Sequence, residues 1–160
     1  MILLVGKSGS GKDFFVTLFG LKPVVSRTTR KPRPGEINEI HKIFVSKEDF
    51  KTYGRENMLA YTVFDGEEYC ALEIDFKGKN VYVIDPSGVR YLKNKKMIDD
   101  GYDTSYDDYP VVYIKSPLYR RAYRLFQRKG FRHTISRLVH DYFQFRDFER
   151  NKEYDVLLRN

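Results

Sequence analysis

The 160-residue chain has a single cysteine, Cys70, no tryptophan and no long apolar run. One cysteine excludes an internal disulfide and fits a reducing, cytoplasmic setting. No Cys/His spacing of the zinc-binding kind occurs, so no structural zinc site is expected. No stretch of 18 apolar residues is present, and no transmembrane helix is expected. The apolar start, Met1–Val5, is too short for a signal peptide and runs at once into a glycine-rich turn. Repeats and low-complexity linkers are absent. With 41% hydrophobic and 32% charged residues, the chain reads as one globular domain with a real core.

Acidic residues are in deficit, 22 against 29 Lys and Arg, which leaves a formal charge of +7. The excess is clustered. Arg27, Arg30, Lys31 and Arg33 form one group; Arg120, Arg121, Arg124, Arg128, Lys129, Arg132 and Arg137 form another. The thirteen Tyr and twelve Phe fall mostly at apolar-periodic positions, as core residues do. Clustered cations without exposed aromatic interleaving suit small polyanions, and nucleic acid is not expected as a partner.

The first polyanion site lies at the start. The apolar run Ile2–Val5 is followed by Gly6-Lys-Ser-Gly-Ser-Gly-Lys12-Asp13, a GxxxxGK phosphate loop. Gly6, Gly9 and Gly11 permit close approach of backbone to ligand. Ser8, Ser10 and the neighbouring amides then form an anion-binding nest at a helix start. Lys12 reaches the β- and γ-phosphates of a nucleoside triphosphate. Asp13 stands where this motif has a Mg²⁺-binding Ser or Thr, and a carboxylate is itself a hard Mg²⁺ ligand. Phe14, Phe15, Leu18 and Phe19 are the expected apolar face of the helix that follows.

The spacing predicts strands at Ile2–Val5, Val24–Ser26, His41–Val45, Met58–Phe64, Glu68–Ile74, Val81–Ile84, Val111–Lys115 and Val156–Leu158. It predicts helices at Lys12–Leu21, Lys47–Tyr53, Ser87–Lys95, Leu118–Lys129 and Thr134–Asn151. In the last helix, Ile135, Leu138, Val139, Tyr142 and Phe143 recur at helical spacing and read as core. The first strand, helix and second strand suggest a parallel sheet. His41 to Ile74, with a hairpin signal at Asp65-Gly66, reads as an inserted β-rich lobe. Asp99 to Tyr109, with five Asp, reads as a solvated acidic loop.

The second polyanion site is Ser26-Arg27-Thr28-Thr29-Arg30-Lys31-Pro32-Arg33-Pro34-Gly35-Glu36. Its prolines exclude helix and central strand. Four cations and three hydroxyls within eight residues make a rigid anion-binding loop, because the Arg fork matches phosphate oxygens.

This run resembles the S-x-T-T-R-x-P-R-x-G-E signature of guanylate kinases, with a further echo in Phe44-Val-Ser-x-x-x-Phe50. The resemblance implies an α/β fold: a P-loop NTPase three-layer α/β/α core with a parallel sheet, a small mixed β lobe that binds the nucleoside monophosphate, and a short Arg-bearing lid. On this chain the core would be residues 1–34 and 78–160, the lobe 35–77 and the lid 126–136. The resemblance also implies transfer of the γ-phosphate of ATP to GMP or dGMP with Mg²⁺. Ser26, Arg30, Arg33, Lys42, Tyr69 and Asp85 would contact the acceptor nucleotide. Asp13 and Asp85 would lie at the metal, and Arg128 and Arg137 would be the lid arginines beside Lys12. Such an enzyme would be a cytoplasmic monomer or homodimer acting on small nucleotides.

Two departures concern the base. The guanine-reading Glu of the family aligns with Ala60 or Tyr61, and its guanine-reading Ser or Thr with Ala71. Alanine cannot read a purine edge, and a site that loses such partners loses discrimination. A third departure, Lys42 in place of a phosphate-binding Tyr, keeps an anion donor. A related (d)NMP, another phosphorylated acceptor, and a non-catalytic binding module therefore stand as alternatives to GMP phosphorylation.

Overall fold

The computed structural model describes residues 1–64, 66–99 and 102–160. It divides into two compact units: Met1–Leu21, Val81–Pro86 and Tyr109–Asn160 in one, Lys22–Asn80 and Ser87–Asp108 in the other. Residues 22–34 and 87–108, placed with the core by the sequence reading, thus cluster with the lobe.

The first unit holds a four-stranded, all-parallel sheet made of β1 (Ile2–Val5), β6 (Val81–Val83), β9 (Val111–Lys115) and β10 (Val156–Arg159), in the order β10-β9-β1-β6. These strands are runs of Val, Ile and Leu, the composition of strands covered on both faces. One face carries Leu4, Val81, Val112 and Ile114, against which Phe15 and Val16 of α1 (Lys12–Leu18) pack. On the other, Tyr113 stacks on Phe145 and meets Phe148 edge-on, both from α4 (Leu118–Arg150). The unit is therefore a three-layer α/β/α arrangement.

Two apolar assignments from the sequence are corrected. Phe14, Leu18 and Phe19 of α1 lie exposed, and Phe15 with Val16 forms the packed side. In α4, Ile135, Val139, Tyr142 and Phe143 are exposed, while Thr134, Asp141, Phe145 and Phe148 are buried. The inward stripe of α4 runs through a polar pair, Thr134 and Asp141, so apolar periodicity alone selects the wrong face. The break expected between two helices is present: Gly130 takes φ 75, ψ −175 inside α4, and contact between Arg121 and Asp141 on its two sides makes α4 a helical hairpin of two stems.

The second unit holds a mixed sheet in the order β3-β2-β5-β4, from β2 (Arg27–Thr28), β3 (Ile43–Phe44), β4 (Met58–Phe64) and β5 (Glu67–Leu72). The second strand thus falls at Arg27–Thr28 rather than Val24–Ser26 and belongs to this mixed sheet. Pro23 has no N–H to donate to a ladder. Behind the sheet, Phe50 of α2 (Lys47–Thr52), Met58 and Cys70 form a small core with Tyr53, Tyr61 and Leu72 around it. Helix α3 (Pro86–Lys93) is followed by a hairpin of β7 (Lys96–Asp99) and β8 (Tyr102–Ser105), where a loop was expected. Asp100 and Gly101 of that acidic segment, and Asp65 of the other hairpin signal, lie outside the described residues.

Burial pushes the Cys70 thiol up to about 12. Because thiolate is the reacting form, the folded protein is expected to leave a chromogenic disulfide reagent unconsumed at pH 8 and to react with it once unfolded. A raised thiol pKa also means that this group's contribution to stability is complete below its unfolded value and declines as pH rises through 9 toward 12.

Candidate functional site

The donor loop joins β1 to α1. Gly9 and Gly11 adopt φ 76 and 95, the left-handed region open to glycine. A Cβ on Gly6 would fall 2.5 Å from Ser10 Oγ, and one on Gly9 would fall 3.1 Å from the Arg121 carbonyl oxygen. Lys12 Nζ donates to the carbonyls of Gly6 (2.5 Å) and Lys7 (3.3 Å). Burial holds the Lys12 ammonium below its ordinary pKa; Asp13 and Asp141 oppose that shift, and Arg121 and Arg128 add to it. Ser10 is fully buried, and its hydroxyl has no hydrogen-bond partner among the described residues.

The carbonyl side of the loop is gripped from the C-terminal part of the chain. Arg121 Nε donates to Ser8 O (3.0 Å), Arg124 to Gly9 O (2.9 Å) and Asn160 Nδ2 to Ser10 O (2.9 Å). Asp141 accepts from both the Ser8 amide (2.8 Å) and the Ser8 hydroxyl (3.0 Å), and it pairs with Arg121 at 2.5 Å. Lys7 pairs with Glu149, which also accepts from the Tyr113 hydroxyl. Burial alone would raise the Glu149 carboxyl; Lys7 and Tyr113 outweigh it and hold it below the usual range. A cavity of about 920 Å³ opens beside the loop, lined in part by Lys7, Ser116, Arg120, Tyr142, Phe143 and Asn160.

Asp13 is exposed in the first turn of α1. Asp85 is half-buried just past β6. The register pairs Leu4 with Val83, and Ile84 N–H donates to Leu4 O, so Asp85 follows β6 at the strand edge where β1 enters the loop. That carboxyl edge is where open α/β sheets bind ligands. The described residues contain no group of three or more metal-binding side chains. Carboxylates are hard ligands of the kind Mg²⁺ takes, with water and substrate supplying the rest of its shell. Arg128 is exposed and Arg137 half-buried, on either side of the Gly130 break.

The acceptor candidates occupy the second unit. The ladder pairs Thr28 with Phe44 and Tyr69, and Thr62 with Tyr69. Alternation puts Tyr69 and Ala71 on one face. Arg30 stands over the Phe44 ring at 5.5 Å. Its guanidinium donates to both Glu36 carboxylate oxygens (3.0 and 2.9 Å) and to Lys31 O. The Arg30 Nε is buried without a partner among the described residues. Glu36 also accepts from the Arg33 amide at 2.8 Å; these partners overcome burial and keep its carboxyl below the usual range. Ser26 is buried, and Arg33 and Lys42 are half-buried in the same unit.

Ala60 and Ala71 are directly paired across β4 and β5, both buried. The nearby carboxylates are engaged elsewhere: Glu67 accepts from Thr29, and Glu68 accepts from the Tyr61 hydroxyl. Glu73 lies exposed in a short 3₁₀ turn. Arg121, Asp141 and Asn160 are site residues that the sequence did not single out. The one available signal was a carboxylate, Asp141, inside an otherwise apolar-periodic helix.

No family model matches the chain. Over 112 residues it is 37% identical to the guanylate kinase of Mycoplasma capricolum subsp. capricolum, which covers 60% of this chain and 37% of that protein. Over 110 residues it is 36% identical to the guanylate kinase of Haemophilus influenzae, covering 59% and 53%. Over 75 residues it is 39% identical to that of Desulfitobacterium hafniense, covering 43% and 38%. The chain thus spans about half, or less, of the length of the curated relatives it matches. The crystal structure of guanylate kinase from Anaplasma phagocytophilum matches all of this chain and 76% of that one, with a TM-score of 0.68 at 19% identity. In sequence over part of its length, and in fold over all of it, the chain is similar to guanylate kinases.

Proposed function

We propose that the protein is a nucleoside monophosphate kinase that transfers the γ-phosphate of ATP to GMP, dGMP or a related (d)NMP. The observation that carries this is the pairing, in one chain, of a phosphate loop with a second anion loop in which Arg30, braced by Glu36, keeps a buried Nε without a partner among the described residues. A donor phosphate and an acceptor phosphate each have a dedicated set of cations.

In this reading the amides of the Gly6–Asp13 loop other than those of Ser8 and Ser10, which Asp141 and the Lys7 carbonyl engage, bind the donor β- and γ-phosphates with the Lys12 ammonium, and the cavity beside the loop takes the nucleoside. Arg30, Arg33, Lys42 and Tyr69 hold the acceptor phosphate, with Ser26 and Asp85 toward the rest of the nucleotide. An acceptor phosphate oxygen attacks the γ-phosphorus, the bond from that phosphorus to the bridging oxygen breaks, and ADP leaves with the electron pair. The attacking oxygen is already largely ionised near neutral pH, so no strong general base is needed. Lys12, Arg128 and Arg137 neutralise charge on the moving phosphoryl group. Asp13 and Asp85 would hold Mg²⁺, which supplies charge neutralisation to the donor oxygens. Among the described residues no helix is long and apolar enough to cross a membrane, in keeping with a cytoplasmic enzyme of small nucleotides.

The buried Ala60–Ala71 pair favours a second reading, an acceptor other than guanine nucleotide. Steady-state turnover with Mg-ATP against all NMPs and dNMPs separates the two. Highest kcat/KM with GMP or dGMP is the expected result. Turnover with another acceptor alone establishes the second reading. Absence of turnover with every acceptor, together with no rise in Tm on adding Mg-ATP, overturns the kinase reading in favour of a binding module.

A further inference from the structure

We propose that the buried Arg121–Asp141 pair is a positioning device for phosphoryl transfer, which holds both stems of the α4 hairpin to Ser8 so that the donor loop, Arg128 and Arg137 form one unit. The inference rests on the kinase reading above.

Arg121 lies before the Gly130 break in α4 and Asp141 lies after it. Both are buried, and both touch the same residue of the loop. Ser8 donates its amide and its hydroxyl to Asp141, and its carbonyl accepts from Arg121. Every hydrogen-bonding group of Ser8 is therefore engaged by this one pair. The chain supplies its own anion to the beginning of the phosphate loop.

Helical spacing carries this anchoring outward. Arg121, Arg124 and Arg128 stand at i, i+3 and i+7, one face of the first stem. Arg121 and Arg124 already bond to the loop, so Arg128 projects from the same face. Arg137 stands one turn before Asp141, at i and i+4, on the facing side of the second stem. Both arginines thus sit on the hairpin beyond a pinned base.

Stability alone does not explain the pair. A buried ion pair is a weak stabiliser, and apolar residues of similar volume often serve as well or better. Apolar residues cannot engage the amide, hydroxyl and carbonyl of Ser8, and that is the property the proposal assigns to the pair.

The test is the double variant Arg121→Met/Asp141→Leu beside Asp141→Asn, with Tm, Mg-ATP affinity by calorimetry, and steady-state constants for donor and acceptor. For the double variant a fall of a few degrees in Tm is expected, because the Ser8 amide, hydroxyl and carbonyl lose their partners. Its Mg-ATP Kd and KM should rise roughly tenfold and its kcat fall on the order of 10²-fold, as for misplaced catalytic groups. Its acceptor KM should stay within about twofold, because nothing in the acceptor loop is altered. Asp141→Asn, with one acceptor oxygen where the carboxylate has two, should show the same pattern in weaker form. Wild-type Mg-ATP affinity and kcat in the double variant would overturn the positioning role. If the double variant does not fold, wild-type constants in Asp141→Asn would overturn it. A wild-type protein that binds no Mg-ATP overturns the kinase reading itself, and is told apart by that measurement alone.

Discussion

Lys12→Ala is expected to lower kcat by on the order of 10²–10³-fold, the cost of losing one preorganised charged donor at a developing anionic centre, with little change in Tm. The ammonium of Lys12 already lies at the mouth of the loop, on the carbonyls of Gly6 and Lys7. Its position is set by the glycine geometry, since a Cβ on Gly6 would also come within 3.3 Å of Lys12 Cγ. Removing it takes a positive charge from the transferring phosphoryl group and leaves the remaining carbonyl contacts intact. Arg121, Arg124 and Asn160 continue to hold Ser8, Gly9 and Ser10. A coupled assay of ADP release checks the rate, and thermal denaturation checks the fold. Near-normal turnover would sink the proposed mechanism.

Arg30→Ala is expected to raise the acceptor KM about 10²-fold, in line with loss of a charge-assisted, partly buried phosphate contact of roughly 1.5–3 kcal/mol, while the KM for ATP stays near wild type. The geometry explains why the effect should be specific. Glu36 and the Lys31 carbonyl hold the terminal nitrogens, and the Phe44 ring supports the guanidinium. The fork is thus preorganised, with its buried Nε still to be satisfied. Arg30→Lys should rescue poorly, because a lysine ammonium cannot bond Glu36 and an incoming anion with the same planar fork. Equal rises in donor and acceptor KM would show that Arg30 supports the fold and not the acceptor.

Both predictions concern residues that were visible in the sequence. The donor loop and the Arg30 loop are each built from neighbours within a dozen positions, so glycine spacing, prolines and clustered arginines declare them directly. The bracing of the donor loop was not visible. Ser8 and Asp141 are 133 positions apart, and Arg121 is one of several arginines in a basic run that looks uniform until a partner singles one out. The inward face of α4 is hidden in the sequence for the same reason: its stripe contains Asp141, and a carboxylate counts against burial until its arginine and serine partners are known. Ala60 and Ala71 mark the opposite situation. Their place in the sequence showed what the site lacks, and their pairing across two strands shows that the gap is a single small apolar patch.

The reach of these braces bears on how the protein acquires its shape. Ser10 is held by a residue 150 positions later, Gly9 by one 115 positions later and Ser8 by one 133 positions later. Contacts of such separation are slow to close, because the intervening chain must first be ordered. During synthesis the nucleotide loop is not fully braced until Asn160 has emerged and β10 has docked on β9. The donor loop precedes its braces by 115 to 150 positions, so a nascent chain should gain affinity for nucleotide only once those later segments have folded.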